Sequence, residues 1–279
     1  MKFRLCGTRG SIAAAGPETV RYGGDTASVE VRTSTGCVVI LDAGSGIRNL
    51  GHDLVSEPRI DILLSHLHMD HVQGLPFFGP LLDPDVEVHL WGPISTTRSL
   101  RARLSRYLSP PLFPVRVRDL PNVVFHDVPP GDFTIDTLTI TADLITHPGT
   151  TLGYRLTEQN ASLAYMPDHE PALGNTHFPS GSEWTSGFAL AKGADVLIHD
   201  AQYTDEEYAE RIGWGHTSFS QLAKYAEMTE VSKLVTFHHD PSHTDDDLDQ
   251  AHDKLVESAD GYDVVRGQAG LKMNLLAAS

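Results

Sequence analysis

Three histidines and an aspartate lie within six positions, directly after a short apolar run. The apolar run is Ile60-Asp61-Ile62-Leu63-Leu64, and the polar cluster is His66-Leu67-His68-Met69-Asp70-His71. In an extended backbone, residues i and i+2 project to the same side, so His66 and His68 can bind one ion. If the chain turns into a helix at Val72, Asp70 and His71 face a second, neighbouring ion. The spacing therefore predicts a metal site at the end of a strand.

The composition is that of an ordinary globular protein and disfavours a polyanionic partner. With 279 residues and 40% apolar content, the chain can bury a full core as one large domain or two joined halves. It has 37 Asp and Glu against 21 Lys and Arg, a formal charge of −16, which opposes general nucleic-acid binding. The first residues lead straight into a strand-like stretch, and no later run approaches the length of a membrane span. These features predict a cytoplasmic protein that does not bind membranes.

The chain alternates short β-rich runs with helical ones. Strands are predicted near 2–7, 27–33, 37–42, 59–64, 86–91, 138–145, 152–157, 162–166, 195–199, 233–237 and 271–275. Helices are predicted near 45–52, 95–107, 183–192, 204–211, 217–228 and 244–257. Short polar turns join several strands, which favours mixed sheets with covering helices over a doubly wound parallel sheet. The proline-rich stretch 108–131 predicts a loop, and we expect a single domain over 1–279 with a cap or loop insertion around 95–131.

Three further metal-ligand residues follow predicted strands later in the chain. His147 follows Ile145-Thr146, Asp168 follows Tyr165-Met166-Pro167, and His238 follows Leu234-Val235-Thr236-Phe237. A lone histidine at a strand end is more often a structural residue, but four such occurrences favour one site built on a single edge. His239 could take the place of His238, and strand alternation predicts that only one of the two faces the site.

In this order, these residues resemble the motifs of the metallo-β-lactamase superfamily of hydrolases. The segments Gly7–Ser11 and Leu41–Gly46 also look like the opening hairpins of that family, so the resemblance covers nearly the whole chain. It implies an α/β fold, the αββα sandwich, with two mixed sheets face to face, helices outside and metals at one edge. It further implies the ligands: His66, His68 and His147 for the first metal; Asp70, His71 and His238 for the second; and Asp168 bridging both together with a hydroxide.

The ligand types separate branches within that superfamily. Asp168 is a carboxylate where many true β-lactamases have cysteine, and His68 is not the glutamate of the redox-active di-iron branch. Hydrolysis therefore remains as the expected reaction. Imidazole and carboxylate ligands suit zinc best, although the same set tolerates manganese or iron. We expect two divalent metal ions, Zn²⁺ in first place and Mn²⁺ or Fe²⁺ as alternatives.

A second resemblance narrows the chemistry to phosphodiesters. The motifs His199-Asp200-Ala201-Gln202-Tyr203 and Gly215-His216-Thr217-Ser218 look like those of the ribonuclease Z and phosphonate-pathway phosphodiesterase branch. Expelling an alkoxide requires a proton donor, and His216 oriented by Asp200 can supply the proton. The resemblance thus implies Asp70, His216 and Asp200 as catalytic residues, with Asp200 one methylene shorter than the glutamate of ribonuclease Z. In the alternative interpretation, His216 only begins a helix that Thr217 or Ser218 caps.

The sequence also bears on the size of the substrate. Only twenty residues separate His147 from Asp168, the interval in which ribonuclease Z carries its tRNA-gripping arm. With no arm and an acidic surface, the chain is predicted to act on a small or cyclic anionic phosphodiester, and a nucleic-acid polymer is disfavoured. Six arginines between positions 98 and 118 could guide such a substrate or simply form a solvated surface.

Several alternatives stay open from the sequence. The same metal core would serve a lactonase or thioester hydrolase, which the ligands alone do not separate from a phosphodiesterase. An RNA-processing nuclease and a catalytically idle binding module are further alternatives. A homodimer is an open alternative as well, because superfamily relatives are often dimers.

Overall fold

The computed structural model describes residues 1–173, 178–179 and 181–275. Its strands are β1 Lys2–Gly7, β2 Ser28–Arg32, β3 Val38–Leu41, β4 Arg59–Leu63, β5 Glu87–Pro93, β6 Val123–Val128, β7 Gly131–Ile135, β8 Leu138–Leu144, β9 Leu152–Glu158, β10 Ala161–Met166, β11 Val196–Asp200, β12 Lys233–Phe237, β13 Asp263–Val265 and β14 Lys272–Asn274. Its α-helices are α1 Ile47–Asp53, α2 Met69–Val72, α3 Leu100–Leu104, α4 Phe188–Ala191, α5 Asp205–Ala209, α6 Phe219–Thr229 and α7 Asp245–Ser258.

The strands form two mixed sheets of seven strands each. One sheet has the order β14-β1-β2-β3-β4-β5-β6, and the other has the order β13-β12-β11-β10-β9-β8-β7. In the first sheet the strands from β3 to β6 are parallel, and in the second the strands from β10 to β13 are parallel. The remaining pairs are antiparallel. The predicted sandwich of two mixed sheets is therefore confirmed.

The central strands are buried on both faces, because each sheet packs against the other sheet on one side and against helices on the other. In β3, Val39 and Leu41 belong to the core between the sheets, whereas Val38 and Ile40 pack with helix α1. Side chains alternate between the two cores, so a one-residue slip of register would exchange them. Each such fully buried side chain contributes about 1.5–3 kcal/mol to folding. Packing on both faces thus fixes the register of the central strands.

The proline-rich segment is more regular than its sequence predicts. The expectation of a loop over 108–131 is wrong for residues 123–128, which form β6, and residue 131 already begins β7. Pro129 and Pro130 link these two edge strands, each at the rim of a different sheet, and edge positions tolerate neighbouring prolines. The prolines therefore mark the passage between the sheets, not a long irregular loop.

Two predicted helices are shorter in the structure. The helix predicted over 95–107 is limited to α3, which Ser99 caps by accepting a hydrogen bond from the amide of Ala102. The helix predicted over 183–192 is limited to α4, because Gly187 has a φ of 67° and interrupts helical geometry directly before Phe188. Within the described residues, no helix combines the length and the apolar character that crossing a membrane requires.

Candidate metal centre

The first ligand motif spans a strand end and a short helix. His68 has extended backbone angles, φ −66° and ψ 155°, and helix α2 begins at the next residue, Met69. The expectation of a helix beginning at Val72 is wrong, because Val72 is the last residue of α2. The early helix start turns Asp70 and His71 away from His66 and His68, which separates the motif into two pairs.

The first cluster contains His66, His68, His147 and Asp168, whose ligand atoms all lie within 4.8 Å of one another. His66 Nε2 and His147 Nε2 each lie 3.7 Å from Asp168 Oδ2. His68 turns Nδ1 towards His147 Nε2, 3.2 Å away. Only His68 is exposed to solvent, so this cluster has an open side through which a substrate can approach.

The second cluster contains Asp70, His71, His238 and again Asp168. Asp168 turns its other oxygen, Oδ1, to this cluster, 2.9 Å from His71 Nε2 and 3.3 Å from His238 Nε2. Asp70 Oδ2 lies 3.1 Å from His238 Nε2 and accepts a hydrogen bond from the amide of Ser11. The two oxygens of one carboxylate thus face two adjacent clusters.

The strand ends explain why distant residues meet here. The clusters lie at the carboxyl ends of β4, β8, β10 and β12, and the sheets touch at this edge through the hydrogen bond from Leu152 N to Ser65 O. His238 has a φ of 56°, a conformation that takes it out of the extended pattern of β12 and into the second cluster. His239 lies outside both clusters, where it bonds to Gly267 O and packs edge-on against Tyr22. One histidine of the pair thus reaches the clusters, and the turn at His238, not strand alternation, selects it.

The available donor atoms fit divalent cations. His66 Nε2 is buried and makes no hydrogen bond within the described residues. Four imidazoles use Nδ1 for another partner, which directs the Nε2 lone pair into the clusters. These contacts are His66 with Ser65 Oγ (3.0 Å), His71 with Asp42 Oδ2 (2.8 Å), His147 with Gly215 O (2.8 Å) and His238 with Gln202 Oε1 (2.9 Å). Imidazole nitrogen and carboxylate oxygen are the donors that zinc takes in hydrolases.

Burial keeps the three imidazoles of the first cluster in the neutral form. It lowers the pKa of His68, lowers the pKa of His66 well below its usual value, and lowers that of His147 to about 4. These three imidazoles are therefore neutral at physiological pH and carry a free lone pair. Neutral imidazole is the protonation state that binds a metal ion.

The second cluster concentrates negative charge. Burial alone lowers the pKa of His71, but the carboxylates Asp168, Asp70 and Asp42 outweigh it and raise that pKa well above its usual value. Burial likewise opposes ionisation of Asp168, yet the neighbouring His238 and His71 lower the pKa of this carboxyl well below its usual range. A cation would neutralise this charge in place of a proton on His71.

A third group, Asp200 and His216, adjoins the second cluster. His216 Nδ1 donates a 2.6 Å hydrogen bond to Asp200 Oδ2, so the shorter aspartate does reach the imidazole. Burial lowers the pKa of His216, but the charge and hydrogen bond of Asp200 outweigh this and raise it. The His216 ring stacks on His238 at 5.1 Å. Ser218 caps helix α6, as the alternative interpretation allows, and His216 lies two residues before that cap, outside the helix.

Asp42 and Gln202 orient ligands, and ligand-motif reasoning does not assign them. Asp42 follows β3, accepts from His71 Nδ1, and also accepts from the amide and hydroxyl of Ser65. Gln202 accepts from His238 Nδ1. Both lie in segments that the resemblance already marks, so polar residues beside a ligand-bearing strand end are the signal that could have identified them.

Aromatic residues of the arginine-rich segment contact residues that follow helix α2. Tyr107 donates from its hydroxyl to the carbonyl of Gln73, the residue directly after α2, and Phe113 packs edge-on against Phe77. Arg103 donates to Pro93 O and faces Asp127, whereas five other arginines are exposed: Arg98, Arg101, Arg106, Arg116 and Arg118. Positive charge is thus exposed along this segment of an acidic chain.

Comparisons with known proteins agree with this geometry. The family model described as "Beta-lactamase superfamily domain" matches residues 38–239. A ribonuclease Z from Gemmatimonas aurantiaca is 27% identical over 272 residues, covering 81% of this chain and 82% of the relative.

Two solved structures share the fold over nearly the whole chain. Zn²⁺-bound PqqB from Methylobacterium extorquens superposes with a TM-score of 0.73 at 18% identity, covering 99% of this chain and 100% of its own. A diphosphatase from the PhnP family superposes with a TM-score of 0.68 at 19% identity, covering 99% of this chain and 98% of its own. At these identities the two structures show a shared fold.

Proposed function

This chain belongs to the β-lactamase superfamily, whose fold implies divalent metal ions, and from that premise we propose that it hydrolyses a small or cyclic phosphodiester. The observation that carries the proposal is the 2.6 Å hydrogen bond between His216 and Asp200 beside the two clusters. Expelling an alkoxide from phosphorus needs a proton donor, and a buried imidazole paired with a carboxylate is suited to that task. Attack on a lactone or thioester carbonyl does not depend on such a donor in the same way.

We propose two zinc ions as the bound metals. His66, His68 and His147 would hold the first, and Asp70, His71 and His238 the second, with one oxygen of Asp168 for each. When bound, the ions supply Lewis-acid charge and lower the pKa of a water molecule. The buried His66 Nε2, which has no hydrogen-bond partner among the described residues, supports this assignment, because buried polar atoms are rarely left without a partner.

Side chains of this protein donate the proton, orient the donor and exclude water. His216 gives its proton from Nε2 to the leaving oxygen, while Asp200 fixes the tautomer and favours the protonated ring. Asp70 is held in place by the amide of Ser11, so its oxygen stays directed at the second cluster. Water exclusion follows from burial, since both members of the donor pair are nearly inaccessible to solvent.

The loops around the site support a small anionic substrate. The interval between His147 and Asp168 contains β9 and β10, which pair in register as a plain hairpin from Leu152 to Met166. No projecting arm is therefore built there. The exposed arginines between positions 98 and 118 can attract an anion by charge, which suits a phosphodiester better than a neutral lactone.

A substrate panel tests the proposal. Zinc- or manganese-loaded protein is assayed against bis(4-nitrophenyl) phosphate, cyclic nucleotides, cyclic sugar phosphates, lactones, thioesters and a precursor tRNA. We expect turnover of at least one small phosphodiester and little turnover of lactones. Absence of any phosphodiester hydrolysis would refute the proposal, and strongly salt-dependent cleavage of the tRNA alone would indicate a nuclease.

The Asp200→Asn variant should change the pH dependence of hydrolysis. The protonated form of His216 is the donor, so activity is present below its pKa and is lost as the pH rises through that pKa. Removing the charge of Asp200 lowers the pKa, and the alkaline limb of kcat should move down by about one pH unit or more. The pH–rate profile is measured beside Asp260→Asn, a change at an exposed aspartate. An alkaline limb that stays in place in Asp200→Asn would contradict the assigned pair.

A further inference from the structure

Glu170 is a fully buried carboxylate that no ligand or donor role described above uses. Its Oε1 accepts hydrogen bonds from Gly213 N (2.9 Å) and the hydroxyl of Tyr208 (2.8 Å), and its Oε2 accepts from Gly215 N (2.9 Å). Among the described residues, no lysine, arginine or histidine forms an ion pair with it. A buried carboxylate is costly unless it is fully hydrogen-bonded, so these three neutral donors are what keep it in place.

The donors to Glu170 belong to the loop that carries His216. Gly213 and Gly215 have φ values of 88° and 87°, so both stand in the left-handed region that favours glycine. A Cβ on Gly215 would lie 2.3 Å from His147 Nδ1, which shows how closely this loop approaches the first cluster. The Glu170 carboxylate thus accepts hydrogen bonds from alternate backbone amides of the turn that ends at His216.

The same residue is tied to the strand end that carries His147. The backbone amide of Glu170 donates to the carbonyl of Thr146, at 3.0 Å, directly before His147. The carbonyl of Gly215 in turn accepts from His147 Nδ1, at 2.8 Å. Hydrogen bonds therefore join Glu170 to Gly215, Gly215 to His147, and the residue before His147 back to Glu170.

We infer that Glu170 is a positioning residue that fixes the turn 213–216, so that His216 meets the leaving oxygen. The inference deepens the proposed function and rests on it for the role of His216. A displacement of the proton donor by about 1 Å can lower the reaction rate about 10²-fold. The rigidity of this turn therefore directly affects catalysis.

The Glu170→Gln variant tests this role because it keeps the shape but replaces one acceptor oxygen with an NH₂ group. At least one of the three donors then faces another donor, and the turn loosens. We expect kcat to fall about 10–100-fold on phosphodiesters with an alkoxide leaving group, but only a few-fold with 4-nitrophenolate, which needs no protonation. KM should change little, and Glu210→Gln, an exposed glutamate in the same connection, is the matched control.

A second readout does not depend on activity or on metal. In the metal-free protein, hydrogen exchange of residues 210–217 should become faster in Glu170→Gln and stay unchanged in Glu210→Gln. In the double variant Glu170→Gln/His216→Asn, kcat on the alkoxide substrate should be no lower than in His216→Asn, because both changes act through one group. If Glu170→Gln does not fold, Glu170→Asp, which shortens the reach to both amides, is measured in the same way.

The outcomes separate the two proposals. If the wild-type protein hydrolyses no phosphodiester, the proposed function fails, whatever the exchange data show. If phosphodiesters are hydrolysed but Glu170→Gln loses rate equally with both leaving groups, or exchange in 210–217 is unchanged, the positioning role of Glu170 is overturned. A leaving-group-dependent loss together with faster exchange supports it.

Discussion

The Asp168→Asn variant is expected to lose hydrolytic activity by about 10³-fold or more, together with its capacity to hold both metal ions. The physical reason is that Asp168 turns one oxygen to each cluster, Oδ2 towards His147 and Oδ1 towards His71. Asparagine keeps one oxygen, and its NH₂ group has no lone pair to offer a cation. A loss of 10³ corresponds to about 4 kcal/mol of transition-state stabilisation.

The measurement combines metal content with kcat. Asp168→Asn, Asp260→Asn and the wild-type protein are dialysed against the same zinc buffer, and bound zinc per chain is determined by mass spectrometry. The exposed Asp260 variant should retain two equivalents and full activity. A circular dichroism spectrum checks that Asp168→Asn folds. Two retained zinc equivalents with near wild-type kcat in Asp168→Asn would rule out the bridging assignment.

The residues that the sequence names as candidate ligands converge in the structure, because the segments that carry them follow strands. Parallel strands bring their carboxyl ends to one edge of a sheet, so Asp168 and His238 meet after β10 and β12 of the same sheet, and His66 joins them from the end of β4 in the facing sheet. The alternation of apolar residues places the strands, and the i, i+2 spacing of His66 and His68 directs both side chains to one ion. Local rules therefore predict which side chains converge, and the family resemblance supplies their assignment to two metals.

The supporting residues escape the same reasoning because their roles are set by long-range contacts. Asp42 contacts His71 across 29 positions, and Glu170 holds Gly215 across 45. No spacing or periodicity in the sequence encodes these pairs, since a buried carboxylate looks the same in sequence as an exposed one. The sequence indicates the pair Asp200 and His216 only through the family motif that contains it.

Edges of the sheets are the other part that the sequence predicts poorly. β6 and β7 lie beside prolines, and their burial patterns are mostly exposed or half-buried, without the strong alternation of a central strand. Turn-forming residues at Pro129-Pro130 therefore dominate the local pattern. The start of α2 is missed for a similar reason, because four residues are too few to show a helical period.

The His216→Asn variant is expected to distinguish phosphodiester hydrolysis from lactone hydrolysis most sharply. If His216 protonates the leaving oxygen, kcat should fall about 10²–10⁴-fold on phosphodiesters with alkoxide leaving groups, which is about 3–5.5 kcal/mol. Because 4-nitrophenolate leaves without a proton, bis(4-nitrophenyl) phosphate should lose less than about tenfold. A lactone, whose developing oxyanion needs charge stabilisation and not a proton, should be affected as little.

Metal content again separates the roles that His216 could have. Its Nδ1 is committed to Asp200 at 2.6 Å, so we expect His216→Asn to bind as much zinc as the wild-type protein. His52→Asn, a change at an exposed histidine, serves as the matched control and should keep full activity on every substrate. An equal loss on the lactone and on both phosphodiesters, with zinc retained, would mean that His216 supports the site in general and donates no proton. A loss of zinc would instead make His216 a ligand, since Asp200, His216 and His238 also lie close enough to hold an ion.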